Sequence, residues 1–198
     1  MDDLHKKALS LEYLTVGYNI VEAIASILAG RLAGSIALVG FGLDSIVESL
    51  SGFVLICRLK KHGTVSQEEE EKIETRASRF VGITFFILGA YVLLESVKKI
   101  VLREIPDPSL FGIIIALVSL IIMPLLASAK HRIGKQLGMA SLVADSKETF
   151  VCAVLSAALL VGLLTHYFFH FWLSDPIVGL LIVAFLFREG YELVFEKE

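Results

Sequence analysis

Cysteine is nearly missing from this chain: Cys57 and Cys152 stand alone among 198 residues, far apart and in no CxxC spacing. A disulfide framework and a zinc ribbon are therefore excluded. No HExxH and no GxSxG occurs, so the common metallohydrolase and serine hydrolase constellations have no residues to build on. Charge is scarce too. Charged residues make up 20% and apolar ones 56%, against about 25% and 45–50% in a soluble domain. No basic stripe suited to nucleic acid is present. The first apolar run is long enough to span a bilayer and lacks a small-residue cleavage site, so it reads as a retained helix rather than a signal peptide.

The charges that remain are gathered between long runs that hold almost none. This pattern predicts an all-α, polytopic membrane protein with six transmembrane helices. The expected spans cover about 9–29, 35–57, 80–101, 110–129, 139–165 and 176–191, making one transmembrane domain over 9–193 with no separate soluble domain. Gly30, Arg31 and Gly34 mark a tight turn, and Pro106-Asp107-Pro108 stops any helix. Pro124 predicts a kink inside the fourth span. The stretch 166–172 is aromatic, as at a membrane interface, and Asp175-Pro176 reads as the cap and first turn of the sixth helix. With the N-terminus inside, the leader, the 58–79 segment, the basic 130–138 segment and the tail carry twelve Lys and Arg, against four on the other side. The positive-inside rule then places both termini in the cytoplasm, and the inner cell membrane is the expected location.

Within the spans, the stretch 34–52 carries Asp44 and Glu48. A carboxylate at mid-bilayer costs about 2.5–3.5 kcal/mol on insertion scales, so such residues are rare and commonly functional. Four residues apart, the two acids share a helix face about 6 Å apart along the axis. On the fifth span Asp145, Glu148, Thr149 and Cys152 fall within an arc of about 100°, while Lys147 points elsewhere. Two helices thus present oxygen ligands to each other, and a divalent cation between them would relieve their repulsion. The structural alternative is a polar network with Asn19, Ser45, Ser49 and Ser146 as partners. Glu22 could line the same cavity. Glu95, three and four residues before Lys98 and Lys99, reads as an interfacial ion pair. His166 and His170 have ligand spacing but stand in the aromatic stretch, where histidine needs no metal. The run 68–71 with His62 reads as a solvated charged segment, and Cys57 as packing.

These residues, in this order, resemble the cation diffusion facilitator family: Tyr18-Asn19, then 34–38 (GSIAL) leading to Asp44-Ser45-x-x-Glu48, then Ala144-Asp145, then Asp175-Pro176-x-x-Gly179-Leu180. The resemblance implies a transported ion held between paired acids on the second helix and a His-x-x-x-Asp pair on the fifth. Here that pair departs to Asp145-x-x-x-Thr149, and a shift of one residue gives Ala144 and Glu148. The implied ligand set is Asp44, Glu48 and Asp145, with Thr149 and Glu148 competing for the fourth place. The family's usual domain after the sixth helix has no counterpart before Glu198, so the chain reads as a short form whose homodimer would be held by membrane helices. The expected function is secondary transport, not enzyme catalysis: export of Zn²⁺, Mn²⁺ or Fe²⁺ as substrate, with no resident cofactor, in exchange for protons that compete for the same carboxylates. An all-oxygen set suits Mn²⁺ or Fe²⁺, and participation of Cys152 would favour Zn²⁺ or Cd²⁺. The alternative expectation is a non-transporting membrane scaffold or regulator on the same fold.

Overall fold

A computed structural model describes the backbone of residues 2–61 and 67–195 and the side chains of 3–60 and 79–195. It is all-helical over these residues, with α1 (Asp2–Ala33), α2 (Ile36–Lys61), α3 (Gln67–Leu102), α4 (Leu110–Leu137), α5 (Ala140–Phe169) and α6 (Ser174–Phe195). Helices α1 to α5 each contain a stretch long and apolar enough to cross a membrane. Helix α6 is shorter and carries Asp175, Arg188, Glu189 and Glu192 within its 22 residues. The side chains of 68–71 and His62, read above as a solvated segment, lie outside the described residues.

The amphipathic sense of α1 is that of a helix in lipid. Glu12, Thr15, Asn19, Glu22 and Ser26, spaced alternately by three and four residues, are all buried, whereas Leu14, Val21, Leu28 and Leu32 are exposed, Leu32 by 86%. In water this inversion would waste the apolar face. In a bilayer it puts hydrocarbon on lipid and reserves the interior for polar contacts between helices.

Four helices close a ring, α1 on α2, α2 on α5, α5 on α4 and α4 back on α1, and the α3–α6 pair packs against α2 and α5. Close approach depends on missing side chains. A Cβ at Gly42 would stand 2.8 Å from Ile27 and 3.0 Å from the Ala23 carbonyl oxygen, so α2 meets the α1 backbone directly there. At one end of the ring Gly34 turns the chain with φ +63°, and Ser35 Oγ accepts from the Leu38 amide at 3.1 Å.

Asp175 acts differently from the sequence expectation. Its carboxylate reaches across to the start of α2, where it accepts from Ser35 Oγ, from the Ile36 amide at 2.9 Å and from the Ala37 amide at 3.4 Å. The physical reason is that α2 begins with unsatisfied backbone N–H groups at a buried position, and an acid on the neighbouring helix answers both them and the helix dipole. Lys99 donates to the Gly34 carbonyl at 2.6 Å and fastens the same end.

The largest departure is in α4. It runs through Pro124 and on to Leu137, so 130–137 is helix and not a loop, and Lys130 is fully buried. Buried Met123, Ala127, Lys130 and Gly134 continue the inward face by steps of three and four residues.

The packing at Gly42 gives the first prediction. Gly42→Ala should destabilise the purified protein by about 1–3 kcal/mol through overpacking. Gly17→Ala, where an added Cβ meets nothing within 4 Å, should be neutral or slightly stabilising. Thermal midpoints of the two variants in the same detergent check this.

Candidate cation site

Buried acids stand on α1, α2, α5 and α6, and each has a distinct set of neighbours. Glu22 is saturated with hydroxyls: Ser45 Oγ donates to Oε2 at 2.8 Å, Tyr18 OH donates to Oε1 at 3.1 Å, and Ser119 Oγ also donates to Oε1. Tyr18 and Ser119 touch each other at 2.9 Å, so the network ties α1, α2 and α4 together. Glu22 thus occupies the structural polar network that the sequence offered as the alternative for these acids, with Ser45 as its partner on α2.

Asp44 and Glu48 are buried on the inner face of α2, 4% and 6% exposed. Both face Cys152 on α5, and Glu48 also faces Thr149. Neither oxygen of Glu48 has a hydrogen-bond partner. A buried carboxylate without a hydrogen-bond partner is costly, and Glu12 on α1 shares this condition on both oxygens.

On α5 the predicted arc divides into two edges. Asp145, Thr149 and Cys152 are buried, and Thr149 Oγ1 donates to the Asp145 carbonyl at 3.1 Å. Glu148 is only partly buried and lies on the other edge, where Ser51 Oγ on α2 donates to it at 3.1 Å. Glu189 on α6 is a further buried acid, which no motif in the sequence announces.

Lys130 and Glu12 were missed at the sequence level. The Lys130 ammonium lies 2.5 Å from Asp145 Oδ2, 3.2 Å from Glu12 Oε2 and 3.3 Å from Thr149 Oγ1, with Lys130 and Glu12 both 0% exposed. Lys130 sat among Arg132 and Lys135 and so resembled a loop. The signal that could have found it is its register with Met123 and Ala127 on the buried face of α4. Glu12 could have been found as the first member of the polar stripe on α1. Among the described residues, no three His, Cys, Asp or Glu side chains converge closely enough to hold one ion. Asp145 is drawn toward Lys130 while Glu48 faces Thr149 and Cys152.

The remaining candidates fall outside this cluster. Glu95 pairs with Lys98 at 3.1 Å, as expected. His166 is buried rather than interfacial, with Nε2 2.8 Å from the Pro106 carbonyl oxygen, whereas His170 is exposed at the αL position that ends α5, so the two do not form a pair of ligands. Cys57 is half-buried and free.

Residues 13–197 match the cation efflux transmembrane domain. The chain belongs to the cation efflux family. It is 24% identical over 194 residues to transmembrane protein 163 of Xenopus laevis, covering 96% of this chain and 67% of that protein. An uncharacterized transporter of Methanocaldococcus jannaschii is 22% identical over 184 residues, with 91% of this chain and 65% of that protein covered. The magnetosome protein MamB of Paramagnetospirillum magneticum is 25% identical over 169 residues, covering 83% of this chain and 57% of that protein. The chain thus spans about three-fifths to two-thirds of the length of these curated relatives.

As a member of this cation efflux family the protein is an integral membrane protein, and the inverted amphipathicity of α1 is the expected consequence. The matched region contains Asp44, Glu48, Asp145, Thr149 and Glu148.

The unequal pairing of the acids is testable without metal. Glu48→Gln removes a buried carboxylate that has no hydrogen-bond partner and should raise the thermal midpoint of metal-free protein. Glu22→Ala strands the hydroxyls of Ser45, Tyr18 and Ser119 and should lower stability by about 1–3 kcal/mol. Melting both variants in the presence of a chelator checks the contrast.

Proposed function

We propose that this protein is a secondary transporter that carries divalent transition-metal ions out of the cytoplasm across the inner cell membrane in exchange for protons. The observation that carries the reading is the Glu48 carboxylate, buried with both oxygens unpartnered, one helical turn from Asp44 and facing α5. Asp44 and Glu48 supply the first wall of the substrate site and Asp145 the opposite one. Thr149, which faces Glu48, fits the fourth place better than Glu148, which is turned to Ser51.

Cys152 lies beside both acids of α2, which favours a borderline ion with sulfur affinity, Zn²⁺ above Mn²⁺. The carboxylates must lose protons to take up metal and regain them when it leaves, so opposite flows of metal and protons follow from competition for the same oxygens. All the acids invoked lie on one chain. A homodimer through the membrane helices is compatible with this reading but supplies no ligand to it.

Proteoliposomes loaded with a metal-sensitive dye test the proposal over Zn²⁺, Mn²⁺, Fe²⁺, Co²⁺ and Cd²⁺. Wild type should carry Zn²⁺ into vesicles with an acidic lumen as protons leave, Asp44→Ala and Asp145→Ala should each reduce flux to the protein-free rate, and Cys152→Ser should shift preference from Zn²⁺ toward Mn²⁺. Unchanged flux in either Ala variant would overturn the site. No flux of any of the five ions would instead favour the membrane scaffold or regulator.

A further inference from the structure

Lys130 places a cation directly against these acids, and its position relative to the candidate ligands sets a problem. Its ammonium touches Asp145 at 2.5 Å and Glu12 at 3.2 Å, from two different helices and out of contact with water. It also donates to Thr149 Oγ1 at 3.3 Å, so it engages both α5 residues proposed as substrate ligands. The second oxygen of Asp145 has no partner, and nearby Glu48 has none on either oxygen. An ion pair serving only to hold α4 against α5 would leave Asp145 closed to the substrate and Glu48 without a hydrogen-bond partner.

We propose that Lys130 is a built-in counter-cation: its ammonium occupies Asp145 while the site lacks metal, is displaced from Asp145 by the arriving ion, and remains paired to Glu12. This rests on the transport reading above and deepens it by naming the group with which the metal competes. The geometry suits an exchange. Glu12 gives the displaced ammonium a second berth already within 3.2 Å, so it never stands unpaired among apolar groups. Lysine is fitted for the role because its charge is a point at the end of a flexible four-carbon stem, whereas arginine would grip a carboxylate with two parallel hydrogen bonds. The exchange also accounts for acids that do not converge in this structure: Asp145 is held toward α4 and α1, and only its release lets it meet Asp44 and Glu48. In the empty carrier the lysine supplies part of the positive charge that the metal supplies in the loaded one.

In such a competition the apparent metal affinity is lowered by the fraction of molecules in which Asp145 is free. The test is equilibrium binding of Zn²⁺ and Co²⁺ to the full chain in lipid nanodiscs, read by competition with a chromophoric chelator. Lys130→Gln should tighten binding by about tenfold if about a tenth of wild-type molecules have Asp145 free. Lys130→Arg should weaken binding. In the Asp145→Asn background Lys130→Gln should change affinity by less than about twofold, because the effect travels through that carboxylate.

A structural role alone predicts that Gln and Arg both weaken binding, and either that result or a tenfold effect persisting with Asp145→Asn would overturn the proposal. Should Lys130→Gln not fold, Lys130→Arg compared in wild-type and Asp145→Asn backgrounds decides the same question. If wild type itself binds neither metal, the transport reading fails and this proposal with it; metal-binding wild type with an unchanged Lys130→Gln affinity sinks the lysine exchange alone.

Discussion

An ammonium with no contact to water, held between carboxylates from two other helices, is the interaction on which the interior of this protein depends. Lys130 brings α4 to Glu12 on α1 and to Asp145 on α5. Removing either partner from such a contact leaves a charge uncompensated in a medium that cannot solvate it, which is far more costly than the contact itself is favourable. The consequence reaches beyond the ion pair. Because α1 packs on α2 and α5 packs on α2, the position of the ammonium influences how far the acids of α2 and α5 stand apart. Packing at Gly42 and the cross-helix cap at Asp175 fix the frame, while the charge at Lys130 disposes the groups inside it.

Much of this was legible in the sequence. Helix number and class follow from apolar runs that outlast any soluble helix, and the bilayer leaves the backbone few alternatives. Asp44 and Glu48 were legible because a charge at mid-span is conspicuous, and their shared face follows from helix geometry alone. The inward arc of α5 was legible for the same reason, with Asp145, Thr149 and Cys152 all buried. What could not be read is which member of that arc faces which helix. Glu148 and Thr149 are adjacent in sequence, and only the docking of α5 on α2 sends one to Ser51 and the other toward Glu48.

Lys130 was illegible for a different reason. Positive charge near the end of a span is ordinarily a mark of the membrane boundary, and Arg132 and Lys135 strengthened that reading. Yet a basic residue near a boundary can turn inward when its helix continues and acids wait on neighbouring helices. The buried steps from Met123 to Ala127 to Lys130 to Gly134 carry that information, but it becomes meaningful only once Glu12 and Asp145 are known to stand opposite. Similarly, Asp175 looked like the cap of its own helix because local sequence cannot express a cap given to a neighbour. Both cases are long-range polar pairings, and hydropathy is blind to them.

Burial alone does not rank the acids of this protein. Glu12, Glu22, Asp44, Glu48 and Asp145 are all buried, so depth ranks them alike. Their partners do not. Glu22 is answered by three hydroxyls from α1, α2 and α4, so its desolvation is offset within the chain and nothing further is needed to explain it. Glu12 also lacks a hydrogen bond on either oxygen, but it is answered by the charge of Lys130 at 3.2 Å. Glu48 is answered by no hydrogen bond at all, and Asp145 by an ammonium on one oxygen only. Buried acids left without hydrogen bonds are costly to keep in a membrane, and a transported cation that completes them is the role proposed above for Glu48 and Asp145. The unequal satisfaction of chemically identical groups is therefore what supports placing the proposed cation site at Glu48 and Asp145 rather than at Glu22.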